Sequence, residues 1–204
     1  MEIQIRVNSN QQQATLNNLQ NRMKIIETGF EGLYVIHPKV FSDSRGYFFE
    51  SFKVETFLMS GIPFNPVQDN ESKSVKGVIR GLHYQSNPFA QAKLIRVVVG
   101  KIYDVAVDLR KSSKTYGKWY GIDLDSENKT QFFIPKGFAH GFSVLSETAV
   151  IQYKCDNLYN PQFERGISLT DPDLGIDWRL DDLKPTISEK DLKHPGFKEA
   201  EKNF

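Results

Sequence analysis

Two of the four histidines sit where an imidazole can act as an acid or a base. His83 closes the run Val78-Ile79-Arg80-Gly81-Leu82-His83-Tyr84-Gln85, and His140 lies in Ile134-Pro135-Lys136-Gly137-Phe138-Ala139-His140-Gly141-Phe142, a Pro/Gly turn feeding a strand. His37, before Pro38 at a strand end, and His194, in a polar C-terminal stretch, read as ordinary surface residues. A basic set accompanies His83: Arg45 in Asp43-Ser44-Arg45-Gly46-Tyr47, Arg80 three residues before the histidine, and Lys93 at the start of an apolar run. Arginine grips phosphate oxygens bidentately and lysine acts as a point charge. Strands carrying these residues into one cavity would make a site for an anionic substrate. The other reading is solvated strand faces with snorkelling stems.

The Pro-x-Gly-x-x-His run resembles turns in jelly-roll barrels of the cupin type. Metal-binding members usually place a second histidine two residues after the first, so that both rings enter the barrel. Here that position is Gln85, and no Glu follows closely. His83 with a distant His140 is a poor set of ligands for zinc or iron, so no metal is expected. The single cysteine, Cys155, excludes an internal disulfide and any multi-cysteine metal site.

Elements that could hold these residues are mostly strands. Leu33 to Ile36, Gly46 to Phe52, Val78 to His83, Ala92 to Val99, Ile102 to Asp108, Trp119 to Leu124, Gln131 to Ile134, Gly141 to Leu145 and Val150 to Lys154 are β-branched or aromatic runs bounded by turn formers. Within 78–85, simple alternation puts Arg80, Leu82 and Tyr84 on one face and His83 on the other. Gly100-Lys101 between two apolar runs suggests a II′-type hairpin. Lys53 to Met59 is the one convincing early helix, and Ser188 reads as the cap of a helix start at Ser188-Glu189-Lys190-Asp191. Short strands without long helices between them predict a mainly β fold, a double-sheet jelly-roll barrel with a few short helices.

The chain has 204 residues, which favours one domain with or without a tail. With 26 Lys and Arg against 25 Asp and Glu, the formal charge of +1 gives no field for nucleic acid or an anionic membrane. No apolar run approaches the ~18 residues of a membrane-spanning helix, and the N-terminus lacks the apolar core of a secretory signal. A cytoplasmic protein without nucleic-acid or membrane partners is the expectation. Residues 1–22 are polar and low in complexity and read as a flexible extension before a domain at 23–204, the alternative being a swapped arm.

Five motifs occur in one order: Arg45-Gly46-Tyr47-Phe48-Phe49-Glu50, Gln68-Asp69-Asn70, Arg80-Gly81-Leu82-His83-Tyr84-Gln85, Ala92-Lys93-Leu94-Ile95-Arg96-Val97, and Ile134 to Phe142. Together they resemble the dTDP-4-dehydrorhamnose 3,5-epimerase family, metal-free cupin-like enzymes of deoxysugar nucleotide synthesis, from about Met23 to Asp191. The resemblance implies inversion of C3 and C5 of a dTDP-4-keto-6-deoxy sugar, with no cofactor and in a homodimer. It implies His83 as general base, Asp191 as its orienting carboxylate, Tyr153 as general acid on the other face of the sugar, and Lys93 beside the C4 oxygen. It further implies nucleotide and diphosphate contacts from Arg45, Arg80, Gln68 and Asn70. Glu50, His140, Glu164 and Lys190 would support the site, and Phe41 and Tyr159 would be aromatic contacts around the nucleotide.

That chemistry fits the residue types. A proton next to a ketone is a weaker acid than imidazolium by about a dozen pKa units, or about 16 kcal/mol, so a base needs a cation or donor at the enolate oxygen. Tyrosine is a far stronger acid than the product carbon and can return the proton. Readings left open are a 3-only or 5-only epimerase or a ketoisomerase of the same fold, a non-catalytic nucleotide-sugar-binding cupin, and a metal-dependent oxygenase.

Overall fold

β-Branched and aromatic runs from residue 33 to 155 form strands, as their side chains favour on a pleated, half-buried surface. The computed structural model describes residues 23–204, so the expectation for residues 1–22 lies outside the described residues. In chain order the strands are β1 (Met23–Glu27), β2 (Tyr34–Pro38), β3 (Val40–Asp43), β4 (Gly46–Phe49), β5 (Gln68–Val75), β6 (Ile79–Gln85) and β7 (Lys93–Val99). They continue as β8 (Lys101–Asp108), β9 (Trp119–Asp125), β10 (Gln131–Ile134), β11 (Phe138–Val144), β12 (Thr148–Cys155) and β13 (Glu164–Gly166). A short helix, α1 (Val54–Met59), and a 3-10 turn at Asp191–Lys193 complete the elements of the described residues.

Six strands form one antiparallel sheet in the order β1-β2-β10-β7-β12-β5, and five form another in the order β13-β6-β11-β8-β9. Among the described residues β3 and β4 pair only with each other, as a separate hairpin. This is the mainly β, cupin-like double-sheet architecture read from the sequence.

Apolar side chains of both sheets interdigitate between them, among them Ile95, Val97 and Ile151 from the first and Ile102, Phe142 and Val144 from the second, all buried. Each such burial contributes about 1.5–3 kcal/mol. Outside the five-stranded sheet, the segment after Ile167 lays Leu169, Leu174, Trp178, Leu180 and Phe197 over Leu82, Tyr84 and Val105. Outside the six-stranded sheet, Phe57 of α1 packs with Phe64 and Phe133. Phe52 joins this group, with its ring 4.9 Å from Phe57 and 5.7 Å from Phe64. That packing ends β4 at Phe49, short of the strand expected through Phe52.

The expected hairpin at Gly100 does not form. β7 lies between β10 and β12 in one sheet, and β8 lies between β11 and β9 in the other. Gly100 is therefore a corner where the chain changes sheets. Its φ is +80°, and a Cβ there would lie 2.0 Å from the Thr148 carbonyl oxygen, so only glycine fits. Both flanking runs are apolar because each must fill a sheet interior, and that burial outweighs local pairing across a tight turn.

Candidate active site

Placement of His83 depends on an irregularity in β6. In the β6–β11 pair His83 stands opposite His140 and Arg80 opposite Phe142, so Gly81 and Leu82 face the single residue Gly141. The additional residue makes a β-bulge, and a one-residue slip moves the following side chains to the other face. Arg80 and His83 consequently open into the same cavity, where simple alternation had put them on opposite faces. Gly81 permits the close approach: its φ is +130°, and a Cβ would fall 2.4 Å from Gly141 Cα and 2.8 Å from the His140 carbonyl oxygen.

The cavity lies between the sheets and has a volume of about 510 Å³. Arg80, His83 and His140 reach it from the five-stranded sheet, and Lys93 and Tyr153 reach it from the six-stranded sheet. Asp191 and Lys190, from the 3-10 turn and its start, close one side. The base and acid expected from the sequence thus come from opposite sheets.

His83 Nε2 lies 2.7 Å from Asp191 Oδ1. Burial pushes the Asp191 carboxyl up, but the hydrogen bond and charge of His83, the Gly81 N–H and Ser188 outweigh it and hold the group below its ordinary value. The carboxylate is therefore ionised at neutral pH and can only accept, so Nε2–H donates and Nδ1 is left for other use. Ser188 Oγ accepts the Asp191 backbone N–H at 3.1 Å, but the 3-10 turn begins only at Asp191, with Lys190 in the capping position, so Ser188 holds the approach to the turn rather than capping a helix.

Burial pushes the Lys93 ammonium down from its usual value, against the pull of Cys155, Asp104 and Glu164. Its Nζ sits 6.0 Å from the centre of the Tyr153 ring. Burial, reinforced by Cys155 and opposed by Arg80, pushes the Tyr153 phenol up, so it stays protonated through neutral pH. Arg80 is held by Ser74, with Nε donating to Oγ at 3.0 Å.

A hydrogen-bonded chain starts from Lys190, which lines the cavity. Lys190 Nζ and the Tyr159 hydroxyl both donate to Glu164 Oε2 at 2.6 Å. The Tyr159 backbone N–H donates to Gln68 Oε1 at 2.8 Å, and Gln68 Nε2 donates to Asn70 Oδ1 at 3.0 Å. The structure thus joins five of the expected substrate-binding residues into one network. Phe41, Arg45 and Glu50 are elsewhere, on or just after the exposed β3–β4 hairpin and outside the cavity lining. The Arg45 side chain is 88% exposed and pairs with Asp43 at 2.6 Å.

Sequence reasoning missed two residues here. Asp104, fully buried in β8, lies 2.9 Å from His140 Nε2. Its signal was an acidic residue inside the apolar run Ile102 to Val107, since a buried carboxylate needs a partner. His194, expected at the surface, is mostly buried, with its ring edge-on to His83 at 5.5 Å and its Nε2 3.6 Å from Asp191 Oδ1. Packing of the C-terminal segment onto the five-stranded sheet draws it in. Burial first, and the neighbouring His83 next, hold His194 below its ordinary pKa.

A double-sheet jelly roll with a histidine–carboxylate pair, a lysine and a tyrosine around one cavity between its sheets is the architecture of a cupin-like sugar-nucleotide epimerase. The family model for dTDP-4-dehydrorhamnose 3,5-epimerase matches residues 27–199. A dTDP-4-dehydrorhamnose 3,5-epimerase of Methanothermobacter thermautotrophicus is 53% identical over 179 residues, 86% of this chain and 95% of that one. The crystal structure of the enzyme of that name from Elizabethkingia anophelis superposes with a TM-score of 0.82 at 50% identity, covering 87% of this chain and 97% of that one. A dTDP-6-deoxy-D-glucose-3,5-epimerase of Legionella pneumophila, solved with dTDP-4-keto-L-rhamnose, gives 0.82 at 48% identity, covering 86% and 93%. The chain belongs to the dTDP-4-dehydrorhamnose 3,5-epimerase family.

Proposed function

We propose that this chain inverts C3 and C5 of dTDP-4-dehydro-6-deoxy-D-glucose to give dTDP-4-dehydro-L-rhamnose, the step its family carries out in dTDP-L-rhamnose biosynthesis. The observation that carries the reading is the His83–Asp191 pair at 2.7 Å, opening on the same cavity as Tyr153 from the facing sheet. His83 Nδ1 takes the proton from C3 or C5, and the C–H electrons move into the C4 carbonyl to form an enolate. Asp191 steadies the imidazolium and fixes its orientation. Lys93, with His140 lining the same cavity, stabilises the enolate oxygen. Tyr153 then delivers its proton to the opposite face of the carbon, and solvent resets both groups. No electrons are gained or lost overall, so the chemistry calls for no redox cofactor, and Lys93 fills the role a metal would otherwise take.

Arg80 and the hydrogen-bonded network of Gln68, Asn70, Tyr159, Glu164 and Lys190 bind the nucleotide diphosphate. Phe41, Arg45 and Glu50 can take part only from a second copy, because they lie away from their own cavity. A homodimer in which each β3–β4 hairpin reaches its partner's cavity accounts for the exposed Phe41, Tyr47 and Phe48 on that hairpin. Among the described residues no helix is long and apolar enough to cross a membrane. A cytoplasmic location agrees with a nucleotide-sugar substrate, and residues 23–204 form the working domain, with 1–22 dispensable.

NMR of the purified protein with dTDP-4-keto-6-deoxyglucose in D2O tests the reading. Deuterium at both C3 and C5, with the L-configured product, is the expected result. Deuterium at one carbon would make the chain a monofunctional epimerase, and none at either would leave it a binding protein.

A further inference from the structure

Behind the proposed base, three side chains of metal-ligating type converge. One nitrogen each of His83 and His194 and one oxygen of Asp191 lie within 4.8 Å of one another. His194 Nε2 is buried and has no hydrogen-bond partner among the described residues. A buried ring nitrogen without a partner forfeits a hydrogen bond it would have made to water. Room for this ring comes from Gly166, which stands opposite His83 in the β13–β6 pair. A Cβ on Gly166 would fall 2.3 Å from His194 Nε2. The backbone is therefore cut away at the one point that lets a second imidazole approach the pair.

We propose that His83, Asp191 and His194 form a binding site for a divalent zinc ion that switches the active site off. Two imidazoles and a carboxylate are a donor set that zinc accepts. Ligands of a tetrahedral zinc stand about 3.3 Å apart. The two separations from Asp191 Oδ1, 2.7 Å to His83 and 3.6 Å to His194, bracket that value.

Binding has a definite consequence for the protons. Ligation by His83 Nε2 requires its lone pair, so the Nε2 proton must leave and the neutral ring must carry its proton on Nδ1 instead. That is the nitrogen assigned to proton abstraction, so a zinc-bound His83 has no lone pair left for the substrate. This inhibition rests on the role proposed for His83, whereas the binding itself does not. Arg80 and the network of Gln68, Asn70, Tyr159 and Glu164 hold none of the three ligand atoms, so nucleotide affinity should survive.

Isothermal calorimetry with zinc chloride on EDTA-treated, dialysed protein tests the site, with cobalt(II) as a spectroscopic stand-in. The expected result is one ion per chain and the visible absorption of four-coordinate cobalt. His194→Gln and His194→Ala should each weaken zinc by at least about tenfold, while His37→Gln should change nothing. Absence of saturable binding, undiminished affinity in both His194 variants, or a sulfur-to-cobalt charge-transfer band marking Cys155 would each overturn the proposal. In a second arm, zinc should suppress solvent exchange into the substrate in step with its binding, while dTDP affinity stays within about twofold. Zinc that binds through His194 yet leaves exchange intact supports the site and overturns His83 as the base.

Discussion

His83 and His140 face each other as register partners on β6 and β11, and each turns its Nε2 to a different buried carboxylate, Asp191 at 2.7 Å and Asp104 at 2.9 Å. The two pairs differ in what holds the acid. The Asp191 carboxyl also has the Gly81 N–H and Ser188, whereas Asp104 Oδ2 has no partner among the described residues. Removing His140 takes away the hydrogen-bond partner of the fully buried Asp104 carboxyl, and breaking such a buried pair costs about 3–5 kcal/mol. Urea denaturation should show His140→Ala losing that much, and His83→Ala losing clearly less. Equal losses would mean that Asp104 is satisfied by other means.

Acid stability should depend on Asp108. This fully buried carboxylate accepts from Arg110 at 2.8 and 2.9 Å, Ser113 at 2.6 Å and Thr115 at 2.7 Å. Burial pushes its pKa up, but these hydrogen bonds outweigh that and hold it below its ordinary value. A depressed folded pKa adds stability above the unfolded value of ~3.9 and loses it as pH falls through the folded value. Thermal melts from pH 6 down to about pH 2 should therefore show a flatter acid limb for Asp108→Asn, on a molecule already less stable by roughly 3 kcal/mol at neutral pH. An unchanged acid limb would contradict this assignment.

Gly81→Ala should damage the site from within the sheet. The new methyl group would meet Gly141 backbone, which cannot swing aside as a flexible side chain can. A loss of roughly 1–3 kcal/mol, with a larger proportional loss of kcat, is the expected outcome of chemical denaturation and kinetics. Wild-type kcat in this variant would mean that the bulge does not position His83.

The limits of the sequence have physical causes visible in these same elements. β7, β8 and β12 were legible because their apolar runs fill the sheet interior. β5 was not, because Gln68 to Val75 is a polar strand at a sheet edge that pairs with β12 through its backbone and buries little besides Ser74. The cavity-facing residues could be named from ordered motifs, but the bulge that turns Arg80 and His83 the same way could not, since it depends on two glycines of different strands meeting. His194 was read as surface because its neighbours are polar, and its burial arises only when the C-terminal segment docks on the sheet.

Nucleotide grip and assembly can be separated with two arginines. Arg80→Ala removes a charge-assisted contact inside the cavity and should weaken dTDP by at least about 1.5 kcal/mol without altering sedimentation. Arg45→Ala should weaken dTDP only if a second chain brings that residue to the site, and the wild type should then sediment at about twice the chain mass. A monomeric wild type would remove the hairpin from the nucleotide site, and unchanged dTDP affinity in Arg80→Ala would return that residue to a solvated role.

The division of labour between His83 and Tyr153 is tested most directly by solvent deuterium exchange at C3 and C5, followed by NMR alongside product formation. His83→Asn should abolish exchange at both carbons. Tyr153→Phe should keep much of the exchange while inversion falls sharply, because the enolate still forms and regains its proton from the His83 side. Equal loss of exchange in the two variants would contradict the account, since it would mean that the tyrosine is needed to remove the proton as well as to return it.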